Sequence, residues 1–322
     1  DERLMIGAAA PGTAGNLGSG ADGGYTVPPE YREEIMQAVN SEDSLFSRTD
    51  QITIGRSSVK VPVDETTDWQ TSGGITVAWE DELNLLTGSK PKLREAELNA
   101  RKVTALVPLS NELLEDSVAM DSYVRSRTPR KMNFAVDLAL MQGSGVGRPL
   151  GVLNSPALIT VTKDGSQAAD TVTRKNIDDM WMRMPAQNRR NAVWVINQDI
   201  ESELQDLQFT GTNSPVPVFL PAGGYSQQPF DTLKGRPIIY TQSASTLGDK
   251  GDISLIDWSQ YATAVKRGGI RVDTSMHLYF DADAMAFRFI MRVGGLPWLS
   301  SPITPRVGSN TLSPFVTLEE RA

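Results

Sequence analysis

The chain has 322 residues, 39% hydrophobic and 22% charged, which is enough to bury a core and fits either two domains or one large one with appendages. Its 31 Lys and Arg against 39 Asp and Glu give a formal net charge of −8, which disfavours sequence-independent DNA binding through clustered cations. The absence of cysteine excludes disulfides, thiolate metal sites and cysteine nucleophiles, and a single histidine excludes multi-histidine metal centres. No run approaches the roughly 18 apolar residues of a membrane span, and no signal peptide is legible at the start.

Residues 1–29 hold seven glycines and five alanines, a composition expected to form a flexible arm that orders only against another surface. Tyr31, Ile35, Met36 and Val39 then fall at helical spacing. Ile52 to Ile54 and Val59 to Val63 read as strands, as does the alternating run Ala96 to Arg101. Between them, residues 64–92 carry only eight apolar side chains, Trp69, Trp79 and Leu83 among them. A two-stranded ribbon without a core is marginally stable alone, and long loops inside compact proteins are usually functional or disordered. This segment is therefore expected to bury Trp69, Trp79 and Leu83 against another subunit.

Ser110 or Asn111 is placed to cap a helix, with Glu112, Glu115 and Asp116 near its positive end. Apolar residues recur from Val118 to Met141, and Gln142-Gly143-Ser144-Gly145 stops the run. Pro129 interrupts it. Either Thr128-Pro129 opens a second helix, where proline is tolerated, or Pro129 kinks one continuous helix. From residue 150 the pattern is mixed. Thr173 is placed to cap a helix through Met184 and Asp199 one through Leu207. Ala192–Ile196 and Gly235–Tyr240 read as strands, 209–230 as a surface loop. Short strands follow at 253–255, 262–265, 270–272 and 278–280, and 281–293 fits helix or strand equally.

Candidate chemistry has a plain alternative in each case. Gly143 to Gly147 superficially resembles a phosphate loop, but a helix precedes it and Pro149 follows, so a helix-stop turn is the better reading. His277 lies in a strand-like run with no nucleophile elbow beside it. Asp64-Glu65/Asp68 and Glu80-Asp81-Glu82 match no calcium loop and read as solvated acids or partners for basic residues on a neighbour. Asp281 and Asp283 fit a turn as well as a carboxylate pair. Arg189-Arg190 and Lys266-Arg267 are too short for a nucleic-acid footprint. No catalytic, cofactor or metal site is expected.

The ordered motifs carry a resemblance. Asp22-Gly23-Gly24-Tyr25-Thr26-Val27-Pro28, the stretch Val107 to Ser117, Gln142 to Gly145, Val193 to Asn197, Leu233 to Pro237, Asp257 to Tyr261 with Arg267 to Ile270, and Tyr279 to Asp283 followed by Arg292 to Gly295 resemble major capsid proteins of tailed double-stranded-DNA bacteriophages. That resemblance implies an α+β capsid fold, shared with encapsulins and herpesvirus capsid shells. Its parts are an N-terminal arm (1–47), an extended β-ribbon loop (48–103), a peripheral domain with a long spine helix (104–150 and 256–309), and an axial α/β domain (151–255 and 310–322). It further implies hexamers and pentamers closing into an icosahedral virion shell around DNA, assembled in the host bacterial cytoplasm. Portal, scaffolding or protease proteins, and in some members a cement protein, would be the partners. Cleavage of an N-terminal scaffolding segment would account for a start without Met. Some members cross-link through lysine, and Lys60, Lys90 and Lys92 lie in the matching region, but no motif assigns a bond. Pro129 departs from the usual unbroken spine helix. The competing expectations are an encapsulin-like compartment holding cargo enzyme and an acidic hydrolase using His277 or Asp281/Asp283.

Overall fold

A computed structural model describes residues 44–70, 73–80, 88–165, 167–205, 207–209, 216–217 and 232–321. The glycine-rich arm up to residue 43, the helix expected at 31–39, Leu83 and most of the 209–230 loop lie outside them.

In chain order the elements are β1 (Asp50–Ile54), β2 (Ser58–Val63), β3 (Arg94–Asn99), β4 (Arg101–Ser110), α1 (Asn111–Asp116), α2 (Val118–Gln142), β5 (Ile159–Val161), α3 (Arg174–Arg183), β6 (Val193–Ile196), α4 (Glu201–Gln205), β7 (Gln208–Phe209) and β8 (Val216–Pro217). They continue with β9 (Thr232–Leu233), β10 (Arg236–Tyr240), β11 (Ile253–Ile256), β12 (Tyr261–Lys266), β13 (Arg271–Tyr279), β14 (Ala284–Pro297) and β15 (Phe315–Leu318). One sheet runs β1-β12-β14-β13 with β4 also on β14, and a second runs β5-β15-β11-β6-β10-β9. The strand β14 organises the first sheet: along 284–293 it pairs antiparallel with all of β4 while taking β13 and then β12.

The helix α2 presents Val124, Thr128, Met132, Val136 and Leu140 at a strict spacing of four, all buried, so one stripe faces the sheet. It packs with Phe287, Phe289, Met291 and Val293 of β14 in a core that also includes Val193, Val195 and Phe315 of the second sheet. The apolar residues Phe134 and Leu138 fall off that stripe and stay exposed. The buried Asp137 accepts from the Phe46 N–H at 2.9 Å, fixing the chain entering β1 onto the helix. In the second sheet β6, β11 and β15 are buried at every residue, as strands covered on both faces must be. The helix α3 begins with a capping box in which Thr173 and Asn176 satisfy each other's backbone N–H groups.

Close backbone approach fixes two glycines. A side chain on Gly294 would stand 2.3 Å from the Asn99 carbonyl oxygen, where the junction between β3 and β4 lies against β14. One on Gly143 would stand 2.1 Å from the Pro149 oxygen, where the chain doubles back after α2.

Several expectations are corrected. The helix capped at Ser110 ends at Asp116, so Glu112 alone lies in its first turn and Glu115 and Asp116 lie in its last, away from its positive end. Residues 118–142 form a single helix through Pro129, so a new helix capped at Thr128 is overturned: Val124 and Met132 hold one buried face across the proline. The Ser126 hydroxyl donates to Tyr123 O at 3.0 Å, one turn before Pro129. The cap of the helix near 200 is Asn197, which accepts from the Asp199 N–H at 3.2 Å, and α4 ends at Gln205. The two short strands expected at 270–272 and 278–280 belong to one strand, β13, whose pairing shifts between Ser275 and Tyr279. The ambiguous 281–293 run is strand from Ala284 onward.

Candidate assembly surface

The long loop grows from β2 and β3, which pair antiparallel from Ser58–Asn99 to Val63–Arg94. The inner face of this ribbon is buried within the subunit. Ala96 and Leu98 pack with Ile54 and with Ala262 and Ala264 of β12. The loop's root is therefore part of the subunit core, a contact the sparse apolar content of 64–92 did not reveal.

Just beyond the root, a polar latch holds the loop to residues 298–304. The Glu65 carboxylate accepts from Ser300 N–H at 2.7 Å and the Ser300 hydroxyl at 2.6 Å, and lies 2.9 Å from Arg94 Nη2. Arg94 Nη2 also donates to Trp298 O at 2.7 Å, and Trp69 Nε1 donates to Thr304 O at 2.9 Å. Partial burial pushes the Glu65 carboxyl up, but the hydrogen bonds from Ser300 and Arg94 and the Arg94 charge outweigh it and hold the group below its ordinary range. Glu65, Trp69, Arg94 and Thr304 line an open cleft of about 670 Å³.

Past Gly74 the character changes. Ile75 and Val77 are exposed and Trp79 is 103% exposed. Trp69 is 39% exposed with its indole N–H satisfied. The structure thus separates the two tryptophans: Trp69 anchors the loop to its own subunit, and Trp79 stands clear. A second apolar surface, which the sequence did not signal, lies on β13 and the turn after it, where Met276, Leu278 and Phe280 are exposed.

The remaining candidates resolve into structural roles. Asp283 takes a left-handed conformation (φ 46°), and both its side chain and its carbonyl accept from Asn111. It closes the β13–β14 turn and steadies α1. His277 is exposed on β13, and among the described residues its ring meets no Ser-Asp pair. Arg189 donates to Met184 O and Trp181 O and stacks 5.2 Å from the Trp181 ring. Gly143 to Gly147 is a helix-terminating turn closed by a bridge between Ser144 and Leu150. Lys60 pairs with Glu95 at 2.5 Å, while Lys90 and Lys92 are exposed. Lys266-Arg267 does not stand alone: the fold gathers it with Lys102, Arg271 and Arg292 around a cleft of about 270 Å³. Among the described residues no cluster of His, Cys, Asp or Glu could hold a metal, and no helix is long and apolar enough to cross a membrane.

Residues 23–307 match the family model described as the phage capsid family. No curated protein matches the chain. Among solved structures it is similar to the capsid of a native GTA particle, with TM-score 0.72, 21% identity and coverage of 95% of this chain and 99% of that one. A structure from Mycobacterium phage Bobi aligns with TM-score 0.64 and 13% identity over 94% and 98% of the two chains, and the SrpI encapsulin from Synechococcus elongatus with 0.58 and 10% over 92% and 93%. The fold is therefore the α+β fold of tailed-phage capsid subunits.

Proposed function

This chain belongs to the phage capsid family, and from that membership we infer that it is the structural subunit of an icosahedral virion shell. In this reading hexamers and pentamers close around a double-stranded DNA genome, without catalysis and without sequence-specific contact to the DNA. Four parts of the subunit would do the work: the arm over 1–47, the extended loop over 48–103, a peripheral unit over 104–150 and 256–309 built on α2, and an axial unit over 151–255 and 310–322 built on the second sheet. Portal, scaffolding or protease and cement proteins would join during assembly in the host cytoplasm.

The observation that carries the reading is the loop. Its root is buried in its own subunit while Ile75, Val77 and Trp79 face solvent. Exposed apolar side chains rimmed by polar residues mark an interaction surface. A second copy is the partner that a shell requires, and heterologous contacts between copies generate closed rings. The encapsulin reading has the weaker structural support, since its alignment is looser than those to phage-type capsids. Particles recovered from infected cells should show icosahedral shells by electron microscopy and retain nuclease-protected DNA. Shells filled with a cargo protein and free of DNA would overturn the genome-container reading.

A further inference from the structure

The first sheet is electrically polarised along its length. At one end Lys102 of β4 and Arg292 of β14 are register partners, so two cations stand side by side on adjacent strands, an arrangement that destabilises a sheet. Lys266, Arg267 and Arg271, from the turn between β12 and β13, complete the cleft around them. Among the described residues only Arg271 has an acidic partner, Asp273 at 3.4 Å, which is itself held more closely by Arg288 at 2.8 Å. Lys102, Lys266, Arg267 and Arg292 have none. Four uncompensated cations in one cleft, on a chain with a net charge of −8, are a standing electrostatic cost within the isolated subunit.

The opposite end of the same strand pair is acidic. Ser110, the last residue of β4, caps α1, which exposes Glu112, Glu115 and Asp116. Ala284, the first residue of β14, pairs with Ser110 and follows the exposed Asp281 and Asp283. Glu112, Glu115 and Asp116 have no cationic partner among the described residues. Ten residues of β4 separate the two ends by about 30 Å.

We propose that the basic cleft of one subunit receives the acidic α1 end of a second copy, making a head-to-tail contact that sets the order of subunits within a capsomer. The inference rests on the shell reading above. A head-to-tail contact uses two different patches of each chain and closes into a ring when the rotation allows. Opposite charges at its two ends would orient encounter and reject head-to-head pairing, where cations would meet cations.

The test uses charge reversal in the full chain. Lys102→Glu with Arg292→Glu sets two carboxylates beside Lys266, Arg267 and Arg271 and relieves repulsion in the cleft, so the subunit's melting temperature is expected to hold or rise. Glu115→Lys with Asp116→Lys places cations in the last turn of α1, where the helix dipole favours them. Each pair alone is expected to cut particle yield at least tenfold. The chain carrying all four changes keeps Lys266, Arg267 and Arg271 in the cleft and Glu112 on α1, but sets opposite charges at the two reversed pairs facing each other across the contact, and is expected to regain particles. Normal yield from either pair, or folded subunits of the fourfold variant that stay unassembled, would overturn the proposal while leaving the shell reading intact. Normal shells of the Lys102/Arg292 variant that have lost only their DNA would also overturn it, by showing that the cleft serves nucleic acid. A wild-type chain that never assembles would sink the shell reading first, and this inference with it.

Discussion

Arg321 donates to Asp252 in an ion pair in which both side chains are fully buried. The guanidinium also donates to Thr171 O at 2.7 Å, and the Arg321 N–H bonds Gly248 O at 2.7 Å. Asp252 further accepts from the Gly248 and Ile253 N–H groups. The end of the chain is thereby fastened to the turn before β11, beside β15. Removing one partner strands the other charge in the interior. Arg321→Ala is expected to cost about 3–5 kcal/mol, read by chemical denaturation of the isolated subunit. A double change of Arg321→Met with Asp252→Leu should cost much less, because no unpaired charge remains; equal losses from the two variants would contradict this.

The two loop tryptophans should behave differently. Trp79→Ala is expected to leave the subunit's stability within about 0.5 kcal/mol, as for exposed sites generally, while reducing assembly. Trp69→Ala removes the bond to Thr304 O and partial packing, so about 1–2 kcal/mol of stability should go with it. Denaturation midpoints together with sedimentation profiles of the two variants check this. A large stability loss in Trp79→Ala would refute the separation of anchor and contact.

The Glu65 latch makes the loop acid-sensitive. Its carboxyl is held below the ordinary range in the folded subunit. The latch therefore contributes stability that is present above the unfolded value and lost as pH falls through the lowered folded value. Below the usual carboxylate range, about pH 4, hydrogen exchange in 64–70 and 298–304 should rise before the rest of the sheet responds. Glu65→Gln should produce that exchange pattern at neutral pH. Unchanged protection in both cases would disprove the latch.

Pro129 sits inside an otherwise continuous α2 and leaves the Arg125 carbonyl without its helical donor. We expect a bend near Arg125 to Thr128. Pro129→Ala should then restore the hydrogen bond and stabilise the isolated subunit by up to about 3 kcal/mol, while altering the curvature of assembled particles. A neutral substitution would contradict the bend.

Local chemistry explains which parts were legible from residue order. The capping box at Thr173, the helix stop at Gln142-Gly143 and the buried run Val193–Ile196 announce themselves because the signal is contained within a few residues. β13 reads as two fragments because its apolar alternation, Val272 then Met276 and Leu278, is broken by the polar run Asp273-Thr274-Ser275, and its residues are largely exposed. The five-residue buried stripe of α2 contains a threonine at 128 and excludes Phe134 and Leu138, so hydrophobicity alone misplaces its face. The basic cleft was illegible for a different reason. Lys102, Lys266 and Arg292 are far apart in sequence and meet only through the pairing of β4, β12 and β14. Likewise the burial of Leu98 under β12 depends on a partner more than 150 residues away.

The mass of the purified full-length chain by light scattering, measured at assembly-permissive concentration and low salt, bears most directly on the role as a shell subunit. The account requires a narrow population of megadalton particles that dissociates to folded subunits when the loop residues 66–90 are replaced by a short Gly-Ser turn. A wild-type chain that remains a folded monomer or dimer under conditions where related capsid subunits assemble would contradict it.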